Sequence, residues 1–76
     1  MSRKAEYHLN KSIEAAKVIG AKITVGMAYL NLGLLHKSKG RTAKAKECIN
    51  KAVIVFKQFE VEQYLNQAKE ALASLK

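Results

Sequence analysis

Proline is absent from the sequence, and only four glycines interrupt its 76 residues. Both residue types tend to end helices, proline because it lacks a backbone N–H and glycine because it is conformationally free. The stretches between the glycines are rich in Ala, Leu, Lys and Glu, which favour helix. These absences predict a chain that is helical throughout. Its length of 76 residues predicts one small domain, over residues 1–76.

Cysteine occurs once, at Cys48. A single cysteine cannot form an internal disulfide, and it leaves no CxxC pair for a metal. Cys48 falls on a half-buried position of a predicted helix. We therefore predict a packed thiol rather than a reactive one.

Long apolar runs are also missing. The run AVIVF at residues 52–56 is far too short to span a bilayer. The first twelve residues, MSRKAEYHLNKS, are polar and lack the apolar core of a signal peptide. We expect a cytoplasmic protein, or part of one, that does not insert into membranes.

The residue patterns of enzymes are absent as well. There is no glycine-rich phosphate loop and no nucleophile motif. His8 and His36 lie far apart, without the spacing of a metal site. Glu60 and Glu62 lie near a predicted helix start, where the helix dipole favours carboxylates. We expect no enzyme activity, no catalytic residue, no metal and no cofactor.

Acidic residues are few, since six oppose fourteen basic ones and the net charge is +8. This excess suits an acidic partner, a nucleic acid or an anionic membrane surface, but solubility alone also explains lysines scattered over several helices. No aromatic residue interleaves with the densest basic segment, so nucleic acid is the less favoured partner. That segment forms a candidate basic patch: Lys37, Lys39, Arg41, Lys44, Lys46 and Lys51.

Apolar residues at three- and four-residue steps predict four antiparallel helices, over residues 3–19, 22–39, 42–57 and 61–75. Gly20 and Gly40 are placed to end the first two. The inward stripe of the first helix is predicted as Ala5, Leu9, Ser12, Ile13 and Ala16. That of the third is predicted as Ala45, Cys48, Ile49, Ala52, Val53 and Phe56. That of the fourth is predicted as Val61, Tyr64, Leu65, Ala68, Leu72 and Leu75.

An internal repeat is visible at an offset of 40 residues. Residues 5–17, AEYHLNKSIEAAK, align with residues 45–57, AKECINKAVIVFK, with small residues on small and apolar on apolar. Repeats of this period indicate stacked helical hairpins.

The stretch YLNLGLLHKSKG at residues 29–40 and the alanines that follow it resemble the long-period subclass of the tetratricopeptide repeat family. The family pattern is aromatic-x2-Leu-Gly-x2-Tyr, then Ala-x3-Phe, then Ala and Pro. His36, Ile49 and Lys57 replace the usual tyrosine, phenylalanine and proline. The residues that carry the resemblance, and that would pack the repeat, are Tyr29, Leu32, Gly33, His36, Ala45, Ile49 and Ala52.

The resemblance implies an all-α fold in which four helices stack as a short right-handed α-solenoid. Helices 22–39 and 42–57 would form the one complete repeat, between half of a preceding repeat and a closing helix. Gly33 and Ala45 would let the hairpin helices touch, and Leu32 would fill the hairpin core. The implied function is a non-catalytic scaffold for protein or peptide partners, forming the C-terminal part of a longer array.

In this family the first helix of a hairpin lines a groove for the partner. Helical spacing also separates the groove positions from a packing face of Ala28, Leu32 and Leu35. Asn31 would pair with partner backbone and Lys37 would hold a carboxylate. The full set of predicted groove residues is Met27, Leu30, Asn31, Leu34, Lys37 and Ser38.

Two alternatives stay open. Leu30 and Leu34 also fit a core in which they bury against the first and last helices. Exposed helix faces could equally pair two copies of the chain, so self-assembly into a homo-oligomer competes with the peptide-groove hypothesis.

Overall fold

The computed structural model describes the backbone of residues 3–75 and the side chains of residues 14–75. Three helices make up this part of the chain: α1 at Arg3–Ser38, α2 at Thr42–Gln58 and α3 at Glu62–Ala73. The prediction of an all-α fold is confirmed. The four-helix tetratricopeptide-like solenoid is wrong, because the first two predicted helices form the single helix α1.

The difference lies at Gly20, which was predicted to end a helix. α1 continues through Gly20 without a break. Thr24 Oγ1 donates a hydrogen bond to the Gly20 carbonyl oxygen at 2.9 Å. A glycine inside a helix costs only about 1 kcal/mol relative to alanine, and good helix formers on both sides outweigh that cost. Residues 3–19 therefore continue the line of residues 22–38 and do not fold back on them.

The connection between α1 and α2 is a tight turn at Gly40, whose φ is 75°. The Gly40 N–H donates to the Lys37 carbonyl oxygen at 3.0 Å, and the Arg41 N–H donates to the His36 carbonyl oxygen at 2.8 Å. This pair of bonds is the Schellman arrangement, which needs a left-handed residue just past the helix end. Glycine adopts that conformation without steric cost.

The connection between α2 and α3 repeats this geometry with Glu60 in place of glycine. The φ of Glu60 is 55°, and the Val61 N–H donates to the Phe56 carbonyl oxygen at 2.9 Å. Glu60 thus lies in the turn that terminates α2, whereas the sequence pattern predicts it near a helix start. Glu62 does lie in the first turn of α3.

The core lies along α2, which packs against α1 on one side and α3 on the other, while α1 and α3 have only slight contact. Phe56 and Ile49 are its largest fully buried side chains. The ring centroids of Phe56 and Tyr64 are 5.5 Å apart, which joins α2 to α3. The other buried members of the core are Leu30, Ala45, Ala52, Ala68 and Ala71.

α1 forms the long axis of the molecule, whose extents are 57 × 18 × 13 Å. Its 36 residues are twice the length of α2, and Ile23 is the first described side chain of α1 that packs on the core. The N-terminal part of α1 therefore extends past the α1–α2 hairpin. Most of the inward stripe predicted for the first helix lies outside the described side chains, and its last member, Ala16, is exposed.

Candidate helix-binding interface

Gly26 and Gly33, one heptad apart, mark the face of α1 that packs on α2. A Cβ atom added at Gly33 would lie 2.5 Å from Ile49 Cγ1 and 3.2 Å from the Ala45 carbonyl oxygen. A Cβ atom added at Gly26 would lie 2.9 Å from Val55 Cγ1. Real side chains do not approach so closely in packed interiors. The two glycines therefore allow the helices to approach and fix which face of α1 meets α2.

The opposite face of α1 carries a second apolar stripe, which no described residue covers. Val18 is 55% exposed, Val25 is 51% exposed and Leu35 is 49% exposed. At 100° per residue, the centre of this stripe is turned by about 140° from the packed face. Its steps alternate between three and four residues, as at heptad positions a and d. We call this stripe the α1 seam: Val18, Ala21, Val25, Ala28, Leu32 and Leu35.

Two open clefts lie along the α1 seam, one heptad apart. The first, of about 460 Å³, is lined by Val18, Ala21, Lys22 and Val25 of α1, with Val55, Gln58 and Phe59 as its wall. The second, of about 160 Å³, is lined by Val25, Ala28, Tyr29 and Leu32. On α1, each cleft consists of heptad positions a, d, e and the next a, which form the hole that receives one side chain of a partner in a coiled coil. Alanine at the central d position keeps each hole open.

The two borders of the α1 seam differ in character. On the side nearer α2, Lys22 Nζ lies 6.0 Å from the centroid of the Phe59 ring, and Lys51 Nζ lies 5.3 Å from that of Tyr29. These distances are within reach of cation–π attraction. On the other side the bordering residues are all polar and all exposed: Lys17, Thr24, Asn31 and Ser38. The seam is thus an apolar strip between polar borders.

The structure exchanges the environments predicted for two leucines of α1. Leu30, predicted to line an open groove with core burial as the alternative, is 6% exposed and belongs to the core, as in that alternative. Leu32, predicted to fill the hairpin core, is 42% exposed and lies in the α1 seam. Ala28 and Leu35, predicted beside it on the packing face, are exposed too. Because α1 is apolar on nearly every side here, periodicity alone does not decide which stripe meets α2.

The predicted groove residues do not line one open groove. Lys37 Nζ donates a hydrogen bond to Ser74 Oγ, just past the end of α3. Ser38 Oγ donates to the Leu35 carbonyl oxygen at 2.8 Å, within its own helical turn. α3 therefore stands beside one end of this strip. Apart from Leu30, the strip consists of half-buried Met27 and the exposed Asn31, Leu34, Lys37 and Ser38.

The remaining residues predicted to pack the repeat lie mostly inside the hairpin: buried Gly33, Ala45, Ile49 and Ala52, and half-buried Tyr29 and His36. The Nδ1 atom of His36 is buried and has no hydrogen-bond partner among the described residues. Cys48 is a half-buried free thiol. Within residues 14–75, no group of three or more His, Cys, Asp or Glu side chains is arranged to hold a metal ion.

The basic patch does not form one surface. Two of its members on α2, Lys44 and Lys46, lie about 160° apart around the helix. Lys51 Nζ lies 3.8 Å from Glu47 Oε1, one turn earlier on α2. All six basic residues are exposed: Lys37, Lys39, Arg41, Lys44, Lys46 and Lys51.

The segment Glu14–Ser38 of α1 is long and apolar enough to cross a bilayer, by length and composition alone. Within this segment, a stretch of 18 residues has a mean hydropathy of 1.5, and 17% of that stretch is buried in the fold. Uninterrupted apolar runs do not reveal this segment, because Lys22 and Asn31 separate its apolar residues.

Comparisons with known proteins gave no match: no family model matches the sequence, and no curated protein or solved structure matches it significantly. The tetratricopeptide resemblance has no support from them.

Sequence reasoning found half of the α1 seam, Ala28, Leu32 and Leu35, but assigned it to the packing face, and it missed one of the two packing glycines, Gly26. The three-four spacing is readable from Val18 to Leu35, but only if α1 is continuous through Gly20. A helix break placed at Gly20 cuts the pattern after its first member. The identical heptad position of Gly26 and Gly33 was the signal for the packed face.

Proposed function

We propose that this chain is a non-catalytic interaction module that binds a partner helix along the α1 seam. The observation that carries the proposal is the pair of heptad-spaced holes at Ala21 and Ala28, on a helix face that no described residue covers. Holes at this spacing suit a second helix and no extended peptide, because consecutive strand side chains point to opposite faces.

The partner predicted by this geometry is an amphipathic helix with large apolar side chains at three-four spacing. Burial of one Val or Leu side chain stabilises a complex by about 1.5–3 kcal/mol. Two or three such contacts offset part of the cost of association and of ordering the partner. The polar residues that border the α1 seam would set the register rather than the affinity.

The test uses a fluorescently labelled synthetic helix of three heptads, with leucine at positions a and d and an excess of glutamate elsewhere. Its binding to the chain is measured by anisotropy for the wild type, for Leu32→Gln and for Leu34→Gln. The two leucines are equally exposed, at 42% and 41%, but only Leu32 lies in the α1 seam. We expect Leu32→Gln to weaken binding by about tenfold and Leu34→Gln to change it less than about twofold. Failure of the wild type to bind, or an equal loss in both variants, would contradict the proposal.

A second candidate is insertion of the α1 seam into a membrane, which the length and hydropathy of Glu14–Ser38 favour. The net charge of +8 suits anionic lipids. Flotation with phosphatidylglycerol vesicles and with phosphatidylcholine vesicles tests it. A membrane protein of this kind floats with the vesicles and does so less after Leu32→Gln. If the protein stays at the bottom of the gradient with both lipids, the result contradicts membrane insertion.

A further inference from the structure

We infer that the helix bound by the α1 seam is α1 of a second copy of this chain, lying antiparallel, so that two chains form a symmetric dimer. This inference rests on the proposed function and names its partner. The sizes of the facing side chains, the charges at the ends of the seam and the two-fold symmetry all favour this dimer.

The sizes of the facing side chains favour the antiparallel register. In an antiparallel coiled coil each d position faces an a position of the partner, and a two-fold axis between residues 26 and 27 centres the seam on itself. Ala21 then faces Leu32 of the partner subunit, and Ala28 faces Val25 of the partner subunit. The larger side chain, Leu32, enters the larger cleft, which Val55 of α2 and Phe59 just after α2 deepen. In a parallel pair, Ala21 and Ala28 would face their own copies, and both clefts would stay unfilled.

The charges at the two ends of the α1 seam favour the same register. The next d position before the seam is Glu14, and the next a position after it is Lys39. Lys39 still follows the helical path, since its N–H donates to the Leu35 carbonyl oxygen at 3.2 Å. The antiparallel register places Glu14 of each chain opposite Lys39 of the other, which forms an ion pair at each end.

A parallel pair would instead bring like charges together. Glu14 would meet Glu14, Lys39 would meet Lys39, and Lys17 would border Lys22 of the other chain at the flanking g and e positions. In the antiparallel pair, Thr24 faces Asn31 of the partner subunit, and these side chains can hydrogen-bond. Charge and polarity therefore agree with size in favouring the antiparallel register.

A two-fold symmetric arrangement uses the same surface on both copies, so the assembly is complete with two chains. The seam from Val18 to Leu35 spans about 26 Å of helix. Over so few heptads, the mismatch between 3.5 and 3.6 residues per turn accumulates only slightly. α2 packs on the face of α1 that carries Gly26 and Gly33. Its residues border the seam at the Ala21 cleft, while Val18, Val25, Leu32 and Leu35 stay 42–55% exposed and open to the second copy.

The first test is solution mass from light scattering, over a wide range of protein concentration. We expect the wild type to reach twice the monomer mass of 8.4 kDa. Leu32→Gln should raise the dissociation constant at least about tenfold, while Leu34→Gln should leave it within about twofold. Circular dichroism of each variant verifies that its helices are intact.

The second test fixes the orientation by disulfide trapping, in a Cys48→Ala background with oxidised glutathione as the oxidant. Glu14→Cys and Lys39→Cys chains are oxidised separately and as an equal mixture. The antiparallel dimer predicts a cross-link between the two variants in the mixture and little in either variant alone. Cross-linking of Glu14→Cys to itself would overturn the antiparallel register.

Failure of this inference is distinguishable from failure of the proposed function. A chain that stays monomeric at every concentration, yet binds the synthetic helix through Leu32, overturns the dimer and leaves helix binding intact. A monomer that also ignores the synthetic helix overturns both. A dimer that survives Leu32→Gln unchanged overturns the use of the α1 seam by the second copy.

Discussion

Replacement of Gly33 by alanine tests whether α1 and α2 approach as closely as the packed face requires. The new Cβ would lie 2.5 Å from Ile49 Cγ1 and 3.2 Å from a backbone oxygen of α2. Ile49 is fully buried, so its side chain has no free space to move into. Overpacking of this kind costs about 1–3 kcal/mol. Against that cost, alanine gains about 1 kcal/mol of helix propensity over glycine.

Gly20→Ala is the matched control, because no atom lies within 4 Å of a Cβ added there. Both variants gain the same helix propensity, so the difference between them isolates the clash. We expect Gly20→Ala to stabilise the chain by about 1 kcal/mol and Gly33→Ala to fall about 1–3 kcal/mol below it. Urea unfolding at one fixed protein concentration, followed by circular dichroism at 222 nm, measures both. Equal stability of the two variants would refute the close approach, and destabilisation by Gly20→Ala would refute a continuous α1.

Two further changes test the turn and the core. Glu60→Gly should raise the free energy of unfolding by about 0.5–1 kcal/mol, because the φ of 55° strains any side chain with a Cβ; thermal unfolding that shows a lower midpoint would contradict this. Phe56→Ala should cost about 3–5 kcal/mol, enough to unfold most of so small a domain, because the ring is fully buried against Tyr64. Ile54→Ala on the same helix, 65% exposed, should change stability by less than about 0.5 kcal/mol, and similar unfolding curves for these two variants would count against the assigned core.

The sequence predicts α2 and α3 well because each has a single apolar stripe. Every residue of the stripe predicted for α2 is buried or half-buried, including fully buried Ile49 and Phe56. The same holds for the stripe predicted for α3, from Val61 to Leu75. With polar residues on the other side of these helices, periodicity has one solution.

α1 is different because it carries two apolar stripes, and periodicity finds both without ranking them. The ranking comes from Gly26 and Gly33, whose missing side chains permit a close contact that only three-dimensional packing reveals. The break predicted at Gly20 had a related cause. Glycine both ends helices and occurs within them, and the choice depends on neighbours beyond the local pattern. The predicted groove was placed on the stripe that contains buried Leu30 for the same reason.

The order of contacts along the chain has a consequence for how fast this fold assembles. α1 packs on α2 and α2 packs on α3, while the two outer helices barely meet. Each packed pair of helices is joined by a turn of only a few residues, 39–41 or 59–61, so little entropy is lost in bringing the two helices together. Helical proteins with such local topology fold in about microseconds to milliseconds. Helix pairing within one chain should thus be complete long before two chains meet by diffusion.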